Sequence, residues 1–566
     1  RFSEKKHKIL GKLTLFGSFA YSVTATQYDD GYLYEEDYED EADEDADDYE
    51  SFPGESTEDF LNRFYGNPKE VMNDDIPKYD NDGNVVSDRH QLFHRHGIIS
   101  PDEVSEAKDY VQELVRSSAT EKALVAEDFT NEEGFLVTDR AENFVDNAKD
   151  DFVTNIVEME KRKLTKAKLK SSPWSSDYWP IYMGMAAFRY ADPKTPSMKD
   201  KWIDFYKFSN EVKVPNRSMT DKEIAKLSPA EKYDILVGDY NFTLTRAMWN
   251  VGKGYYDSQG NVPEWMGICN GWAAASFTLD RPRYAIKVKS YDGKHKIKFY
   301  PEDIKALASL LFAYGQTENK FIGTRCESKH PKVDQYGRYI DQACFDTNPA
   351  TWHLAMVNQV GVSERGLVFD KSVDDEVWNQ PAYAYTYKYF NPEKGKSSKN
   401  LKEAMIPYSE FKRDVFKSYR SPDVKNIVGV EMAVKYVVEV EPMPRRRDRK
   451  RYDGIRTVVY RYDLELDDKH EIIGGEWYGN KHPDFIWAPV KGSIGSSSYE
   501  DEAVGSWKSR KRSLPDSWAR AGMRSSLDSV PLGKIVYRLL EFSRSGKILS
   551  RLLPPKPHLP RFFRGS

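Results

Sequence analysis

The sequence predicts an α+β protein with a helical N-terminal region, a mixed central region and a β-rich C-terminal part. Apolar residues recur at helical spacing between residues 58 and 171, most clearly from Ala141 to Lys170, which indicates helices. Two segments rich in valine and isoleucine, Val428–Val440 and Ile455–Leu466, indicate a pair of strands. A chain of 566 residues has room for about three or four domains.

The composition excludes several classes of protein. The mean hydropathy is −0.72, and the sequence contains no run of about 18 apolar residues, which excludes a helical membrane protein. Aromatic residues make up 13% of the chain, which argues against a wholly disordered protein. Three cysteines are too few for a disulfide-dense scaffold or a four-cysteine zinc site.

The net charge of −6 conceals two oppositely charged segments. Asp29–Glu50 contains 14 acidic residues among 22 and no Lys or Arg, whereas Lys508–Arg564 contains 14 basic residues against three acidic ones. Such blocks are usually solvated and disordered, and the two could attract each other. We do not expect a nucleic-acid partner, because aromatic residues do not interleave with the basic residues as a stacking surface requires.

The first 25 residues have the features of a secretory signal peptide. Basic residues precede the apolar run Leu13–Val23, and small residues follow it at Val23-Thr24-Ala25. The run is too short to span a membrane. We therefore expect a secreted, extracellular protein; the alternative is the amphipathic start of a cytosolic helix.

These observations divide the chain into six regions. The predicted boundaries are 1–25 for the signal peptide, 26–57 for an acidic disordered leader, 58–171 for a helical region that could act as an inhibitory pro-segment, 172–425 for the catalytic core, 426–500 for a β-rich region and 501–566 for a basic disordered tail.

Cys269 is the strongest candidate for a nucleophile. The alanine-rich run that follows it favours a helix, which would put the thiol at a helix N-terminus, where the dipole favours thiolate and free N–H groups can stabilise an oxyanion. Gly267 and Gly271 would allow the backbone to approach a substrate closely. Trp265 and Trp272 could contribute to the oxyanion or acyl site, or could be ordinary core aromatics. The alternative for Cys269 is a small buried core residue.

His353 and Asp370 could complete a catalytic trio with Cys269. Alternating apolar residues around His353 suggest a strand, and Asp370 ends a second apolar strand. A cysteine on a helix followed by a histidine and an aspartate on strands is the chain order of papain-like cysteine-nucleophile folds. The histidine would take the thiol proton, and the carboxylate would orient the imidazole. Alternatively, His353 is a hydrogen-bonded core histidine and Asp370 a turn or cap residue.

Cys326 and Cys344 are the natural disulfide pair in an oxidising compartment, which would leave Cys269 as the free thiol. The alternative is a pair of reduced surface thiols.

No metal ligands can be named from the sequence. Asp80-Asn81-Asp82-Gly83 resembles part of an EF-hand calcium loop. With Gly83 at the sixth position of such a loop, the first position would be Lys78, which cannot bind calcium. We therefore interpret this segment as a hairpin turn, and Asp292-Gly293 likewise.

Several uncommon motifs in fixed order resemble the transglutaminase elicitor family that oomycetes secrete, with relatives in marine bacteria. The segment Val377-Trp378-Asn379-Gln380-Pro381 resembles the start of the peptide of that family that plants recognise. The other matching segments are Ser172–Trp174 with Tyr178–Pro180, Gly267–Phe277, Phe299–Leu307 and Asp346–Pro349. The likeness covers roughly residues 172–440.

The resemblance implies an elongated, multidomain, calcium-dependent enzyme with a papain-like core that cross-links protein Gln and Lys side chains. It further implies Cys269 as nucleophile, His353 as base and Asp370 as orienting carboxylate, with Asp346 and Asp374 as competitors. A receptor on the host surface is an implied partner. The chain departs from the family pattern at Asn270 and Ala274, where His and Pro are expected. Alternatives are a secreted papain-like cysteine protease and a catalytically inactive secreted interaction protein.

Overall fold

The structure, a computed structural model, describes residues 53–86, 140–197, 200–323, 331–341, 347–370 and 379–544. Several predicted features lie outside these ranges. They are the signal peptide, nearly all of the acidic leader, the end of the basic tail, the disulfide pair Cys326 and Cys344, the competitors Asp346 and Asp374, and Val377 and Trp378 of the elicitor-like segment.

The described chain is a mixture of helices and strands, as the sequence predicts. The helices are α1 (Thr57–Gly66), α2 (Pro68–Val71), α3 (Ala141–Phe144), α4 (Ile156–Lys161), α5 (Trp202–Lys207), α6 (Asp221–Ile224), α7 (Pro229–Val237), α8 (Thr243–Gln259), α9 (Cys269–Thr278), α10 (Pro301–Tyr314), α11 (Pro349–Met356), α12 (Leu401–Ala404), α13 (Asp516–Leu527) and α14 (Gly533–Arg544). The strands are β1 (Lys78–Tyr79), β2 (Val85–Val86), β3 (Lys166–Lys168), β4 (Ile286–Lys289), β5 (Lys296–Phe299), β6 (Asn319–Gly323), β7 (Leu367–Asp370), β8 (Asn379–Phe390), β9 (Ser397–Ser398), β10 (Ile406–Pro407), β11 (Asn426–Val438), β12 (Gly454–Leu466), β13 (Ile472–Gly474) and β14 (Phe485–Pro489).

One large sheet forms the centre of the described chain. Its strands follow the order β2-β1-β12-β11-β8-β7-β14-β6, and neighbouring strands on this path are antiparallel. The long hairpin of β11 and β12 confirms the strand pair predicted from the sequence, with Val434 opposite Val458. Because β11 also pairs with β8, the β-rich region and the central region share one sheet.

Both predicted hairpin turns are present. The turn from Asp80 to Gly83 joins β1 and β2, and the Asp80 side chain accepts hydrogen bonds from the backbone N–H groups of Asp82 and Asn84, each at 2.9 Å. Asp292-Gly293 lies between β4 and β5. Gly293 has a φ of 76°, a conformation that glycine adopts without steric cost.

A continuous hydrophobic core joins side chains from Ala141 to Leu540. It is rich in aromatic residues, and Trp179, Trp272 and Trp352 are among its fully buried members. No helix in the described part of the chain is long and apolar enough to cross a membrane.

The long helix predicted from Ala141 to Lys170 is wrong. The structure has two short helices there, α3 and α4, and then strand β3, which pairs with β8. Between the helices the backbone bonds to a distant side chain, since the N–H of Val153 donates to the Asn358 amide oxygen at 2.9 Å. This tertiary contact outweighs the local helical pattern.

The basic tail is not disordered where the structure describes it. Residues 516–544 form α13 and α14, and Val536 and Leu539 are fully buried in the core. The hydroxyl of Tyr233 accepts a hydrogen bond from the backbone N–H of Leu532 at 2.8 Å. The prediction failed because the basic residues of an amphipathic helix dominate the composition while its apolar stripe faces the core.

Candidate active site

Cys269 is the first residue of helix α9, where the sequence predicts it. The turn before the helix is attached to the neighbouring segment Tyr178–Ile181 by two backbone bonds. The N–H of Ile268 donates to the Tyr178 carbonyl and that of Ile181 to the Met266 carbonyl, each at 2.8 Å. These bonds fix where the helix begins, and with it the position of the thiol.

The glycines around Cys269 serve protein packing. A Cβ atom on Gly271 would lie 2.0 Å from the carbonyl oxygen of Ser309 in α10, and one on Gly267 would lie 2.5 Å from that of Tyr178. The sequence predicted an approach to substrate at these positions. The structure instead shows that the missing side chains let two protein segments pack directly against the turn and the helix.

A tryptophan and an asparagine form a chain of contacts that leads to the thiol. The side-chain NH₂ of Asn379, at the start of β8, lies 3.6 Å from the Cys269 sulfur. The indole N–H of Trp487, in β14, donates to the Asn379 amide oxygen at 2.7 Å. An indole can only donate, so this bond fixes the amide orientation and directs its NH₂ toward the sulfur.

Two buried carboxyl groups act on the same thiol. Asp370 ends β7 directly opposite Asn379, and Glu439 follows β11, where both its oxygens lie 3.4 Å from the amide nitrogen of Gln380. Burial raises the pKa of Cys269 well above its ordinary value. The charges of Glu439 and Asp370 raise it further, and the Asn379 contacts oppose them. In this conformation the thiol is protonated at neutral pH.

His353 does not join Cys269. Its Nδ1 lies 2.8 Å from the Tyr462 hydroxyl, and its ring packs edge-on against Tyr387 with 4.8 Å between centroids. Tyr387 lies eight residues along β8 from Asn379, a distance of about 26 Å in an extended strand. The predicted Cys269–His353 pair is therefore wrong for this conformation, whereas Asp370 does lie near the thiol.

The local sequence explains the position of His353. The predicted strand is helix α11, in which Pro349 occupies the first turn and Asn348 caps the N-terminus by accepting from the Ala350 N–H at 2.8 Å. Burial lowers the pKa of His353 to about 3, so the ring is neutral. This matches the alternative interpretation of His353 as a hydrogen-bonded core histidine.

The remaining predicted site residues are mostly structural. Trp272 is fully buried, and its indole N–H donates to the Trp174 carbonyl at 3.0 Å, which is the core-aromatic alternative. Trp265 is 8% exposed just before the turn that leads to Cys269. The structure describes Asn379–Pro381 of the elicitor-like segment. These residues form the start of β8 and are buried.

The calcium ion that the resemblance implies has no cluster of acidic side chains to hold it in the described residues. Among residues 53–86, 140–197, 200–323, 331–341, 347–370 and 379–544, no three His, Cys, Asp or Glu side chains converge to hold a metal ion. Calcium therefore stays a prediction, and we assign no step to it.

The sequence did not identify Trp487 or Glu439 as site residues, and it gave Asn379 another role. Glu439 carried no distinct signal, because the same segment also contains Glu431 and Lys435. Trp487 lies in an apolar segment that resembles any other strand. Their proximity to Cys269 depends on strands far apart in sequence meeting in one sheet.

A family model described as "Transglutaminase elicitor" matches residues 146–497, well over half of the chain. A solved structure with detectable likeness is the GP42 transglutaminase from Phytophthora sojae, at 21% identity and a TM-score of 0.43. The alignment covers 68% of this chain and 92% of that one. No curated protein matches the chain.

Proposed function

Because the chain belongs to the transglutaminase elicitor family, we propose that it is a secreted protein-glutamine gamma-glutamyltransferase. It would join protein Gln and Lys side chains through a thioester on Cys269. The observation that carries this proposal is the thiol at the start of α9 with the Asn379 amide directed toward it. Free N–H groups in the first turn of a helix can hold the oxyanion of an acyl-transfer intermediate.

The reaction has two acyl-transfer steps. The Cys269 sulfur attacks the Gln carboxamide carbon, the C–N bond breaks, and the thiol proton leaves with the amide nitrogen as ammonia. A Lys amine then attacks the thioester, forms the isopeptide bond and returns a proton to the sulfur. We assign the proton transfers to a carboxyl group beside the thiol, Asp370 or Glu439, because their charges act on it and His353 is distant.

The reaction requires the site to open. Cys269 has no exposed surface, so a Gln side chain reaches the sulfur only after the side chains around the thiol separate. Opening would also admit water, which lowers the desolvation cost of a thiolate and brings the raised pKa of Cys269 down. Access and activation would thus occur together.

The test is incorporation of a fluorescent primary amine into a glutamine-rich protein, with and without calcium. We expect the parent chain to incorporate the amine and Cys269→Ala to lose all incorporation. Ser276→Ala, which changes a buried hydroxyl in the same helix, is the matched control and keeps activity. Incorporation by Cys269→Ala would end the site assignment, and peptide cleavage without incorporation would favour a cysteine protease.

A second candidate is a catalytically inactive secreted elicitor. It is favoured by the burial of Cys269 and the distance of His353. Under this function the amine assay stays negative, while released peptides that contain Val377–Pro381 still trigger a plant response. Because Asn379–Pro381 are buried in β8, we expect the folded chain to be weaker in that response than its proteolytic fragments.

A further inference from the structure

Two basic segments that are far apart in sequence border one small hairpin, which is itself basic. The backbone N–H of Lys289 in β4 donates to the Arg510 carbonyl at 3.0 Å, and that of Ala285 donates to the Arg446 carbonyl at 2.8 Å. The outer edge of β4 therefore borders both Lys508–Arg512 and Arg445–Arg451. We call these two segments, together with the lysines of the β4–β5 hairpin, the basic face.

The hairpin itself carries like charges in direct opposition. Lys287 lies opposite Lys298, and Lys289 lies opposite Lys296, while the residues between them are buried. Like charges directly across a strand pair are destabilising. Within the described residues, none of these four lysines forms an ion pair. The hairpin thus keeps an arrangement that its own folding does not favour.

The cations of the basic face act on one another. The pKa of Lys298 is lowered, first by burial and then by the charges of Arg446 and Lys287. Two of the acidic groups nearby have other partners. Asp448 bonds Lys305 and Arg281, and Asp292 accepts from the Tyr240 and Ser290 hydroxyls. Asp221 approaches the hairpin, where it accepts from the backbone N–H of Lys296 at 3.2 Å.

We propose that the basic face binds the acidic leader of the same chain, Asp29–Glu50. The leader carries 14 carboxylates and no Lys or Arg, so its charge is opposite in sign to that of the face. Its four tyrosines could also stack on the arginines of the face, as Tyr452 already does with Arg445 at 4.2 Å. This inference does not depend on transglutaminase activity.

The leader is long enough to reach the face. The described chain starts at Pro53, close to β12, since the carbonyl of Glu55 accepts from Arg461 at 2.8 Å. From Arg461 to Gly454, beside the basic run, is seven residues, or about 23 Å. The 22 residues of the acidic segment span up to about 70 Å when extended. Covalent attachment also gives the leader an effective concentration of about millimolar order.

Zero-length carbodiimide cross-linking of the full chain tests this, because the reagent joins carboxylates to lysine amines in contact. We expect cross-links from Asp29–Glu50 to Lys287, Lys289, Lys296, Lys508 and Lys511 at low salt. Their yield should fall several-fold at about 1 M NaCl, where the Debye length is about 3 Å. Lys287→Gln with Lys296→Gln should lower the total leader cross-linking, whereas the exposed control pair Lys399→Gln with Lys491→Gln should not.

Three outcomes would overturn the proposal. Leader cross-links spread evenly over surface lysines would mean that no face is preferred. Cross-links concentrated on Lys547 and Lys556 would mean that the leader binds the end of the tail instead. In a mixture of ¹⁵N-labelled and unlabelled chains, cross-links that carry both isotopes would mean that a second copy supplies the leader.

Discussion

Trp487 orients the amide group next to the Cys269 thiol through one hydrogen bond. The bond holds the Asn379 amide so that its NH₂ faces the Cys269 sulfur. Trp487→Phe removes the donor and lets the amide flip its oxygen toward the sulfur, which disfavours thiolate. We predict that alkylation of Cys269, measured by peptide mapping at several pH values, is several-fold slower in this variant. We also predict that kcat falls while KM is unchanged. Only the expected changes in kcat and KM depend on the proposed activity; the alkylation rate does not.

Trp518→Phe is the matched control for Trp487→Phe. Both tryptophans are nearly buried, at 6% and 8% exposed, and the Trp518 indole N–H is buried without a hydrogen-bond partner in the described chain. The two substitutions therefore remove similar packing, but only one removes a bond that leads to the thiol. An equal effect of the two variants on the alkylation rate would reduce Trp487 to a packing residue.

At the scale of elements, the contact between α9 and α10 depends on Gly271. A Cβ atom there would lie 2.0 Å from the Ser309 carbonyl oxygen, so Gly271→Ala forces the helices apart. We predict a loss of about 1–3 kcal/mol in the free energy of unfolding, measured by urea denaturation. Gly254→Ala on the exposed side of α8 meets no atom within 4 Å and should gain up to about 1 kcal/mol. Equal effects would contradict the packing role.

Local sequence patterns predict some of the elements and their turns, but not the contacts between distant strands. The β11–β12 hairpin, both hairpin turns and the helix that starts at Cys269 follow from local patterns, and each is present. The alternating apolar residues around His353 predict a strand, but the structure has helix α11 there, which begins at Pro349 after the Asn348 cap. The Asn379–Trp487 contact had no local signal, because β8 and β14 meet only through β7.

For the whole molecule, acid–base behaviour reflects buried carboxyl groups. Burial raises the pKa of Glu465 to about 7 despite the opposing charge of Arg420. The folded state then holds a proton that the unfolded state releases above about pH 4.5. The stabilising contribution is therefore complete below that pH and is lost as pH rises through 7. We predict that the free energy of unfolding falls less between pH 5 and 8 in Glu465→Gln than in the parent.

Exposed Glu410→Gln is the control for Glu465→Gln, and chemical denaturation across pH is the measurement. If the free energy of unfolding changes by the same amount between pH 5 and 8 in the parent and in Glu465→Gln, Glu465 does not cause the pH dependence. Composition alone could not foresee this behaviour, because the net charge of −6 does not reveal which carboxyl groups the fold buries.

In the structure, Cys269 contacts Asn379 and not His353, so we expect its reactivity to depend on Asn379. The most direct measurement is the rate of Cys269 alkylation by iodoacetamide in folded Asn379→Asp and His353→Gln, with peptide mapping to separate the three cysteines. We predict that Asn379→Asp slows alkylation several-fold, because a carboxylate replaces a donor beside the sulfur. His353→Gln should stay within about twofold of the parent. The reverse result, slow alkylation in His353→Gln and an unchanged rate in Asn379→Asp, would contradict the claim.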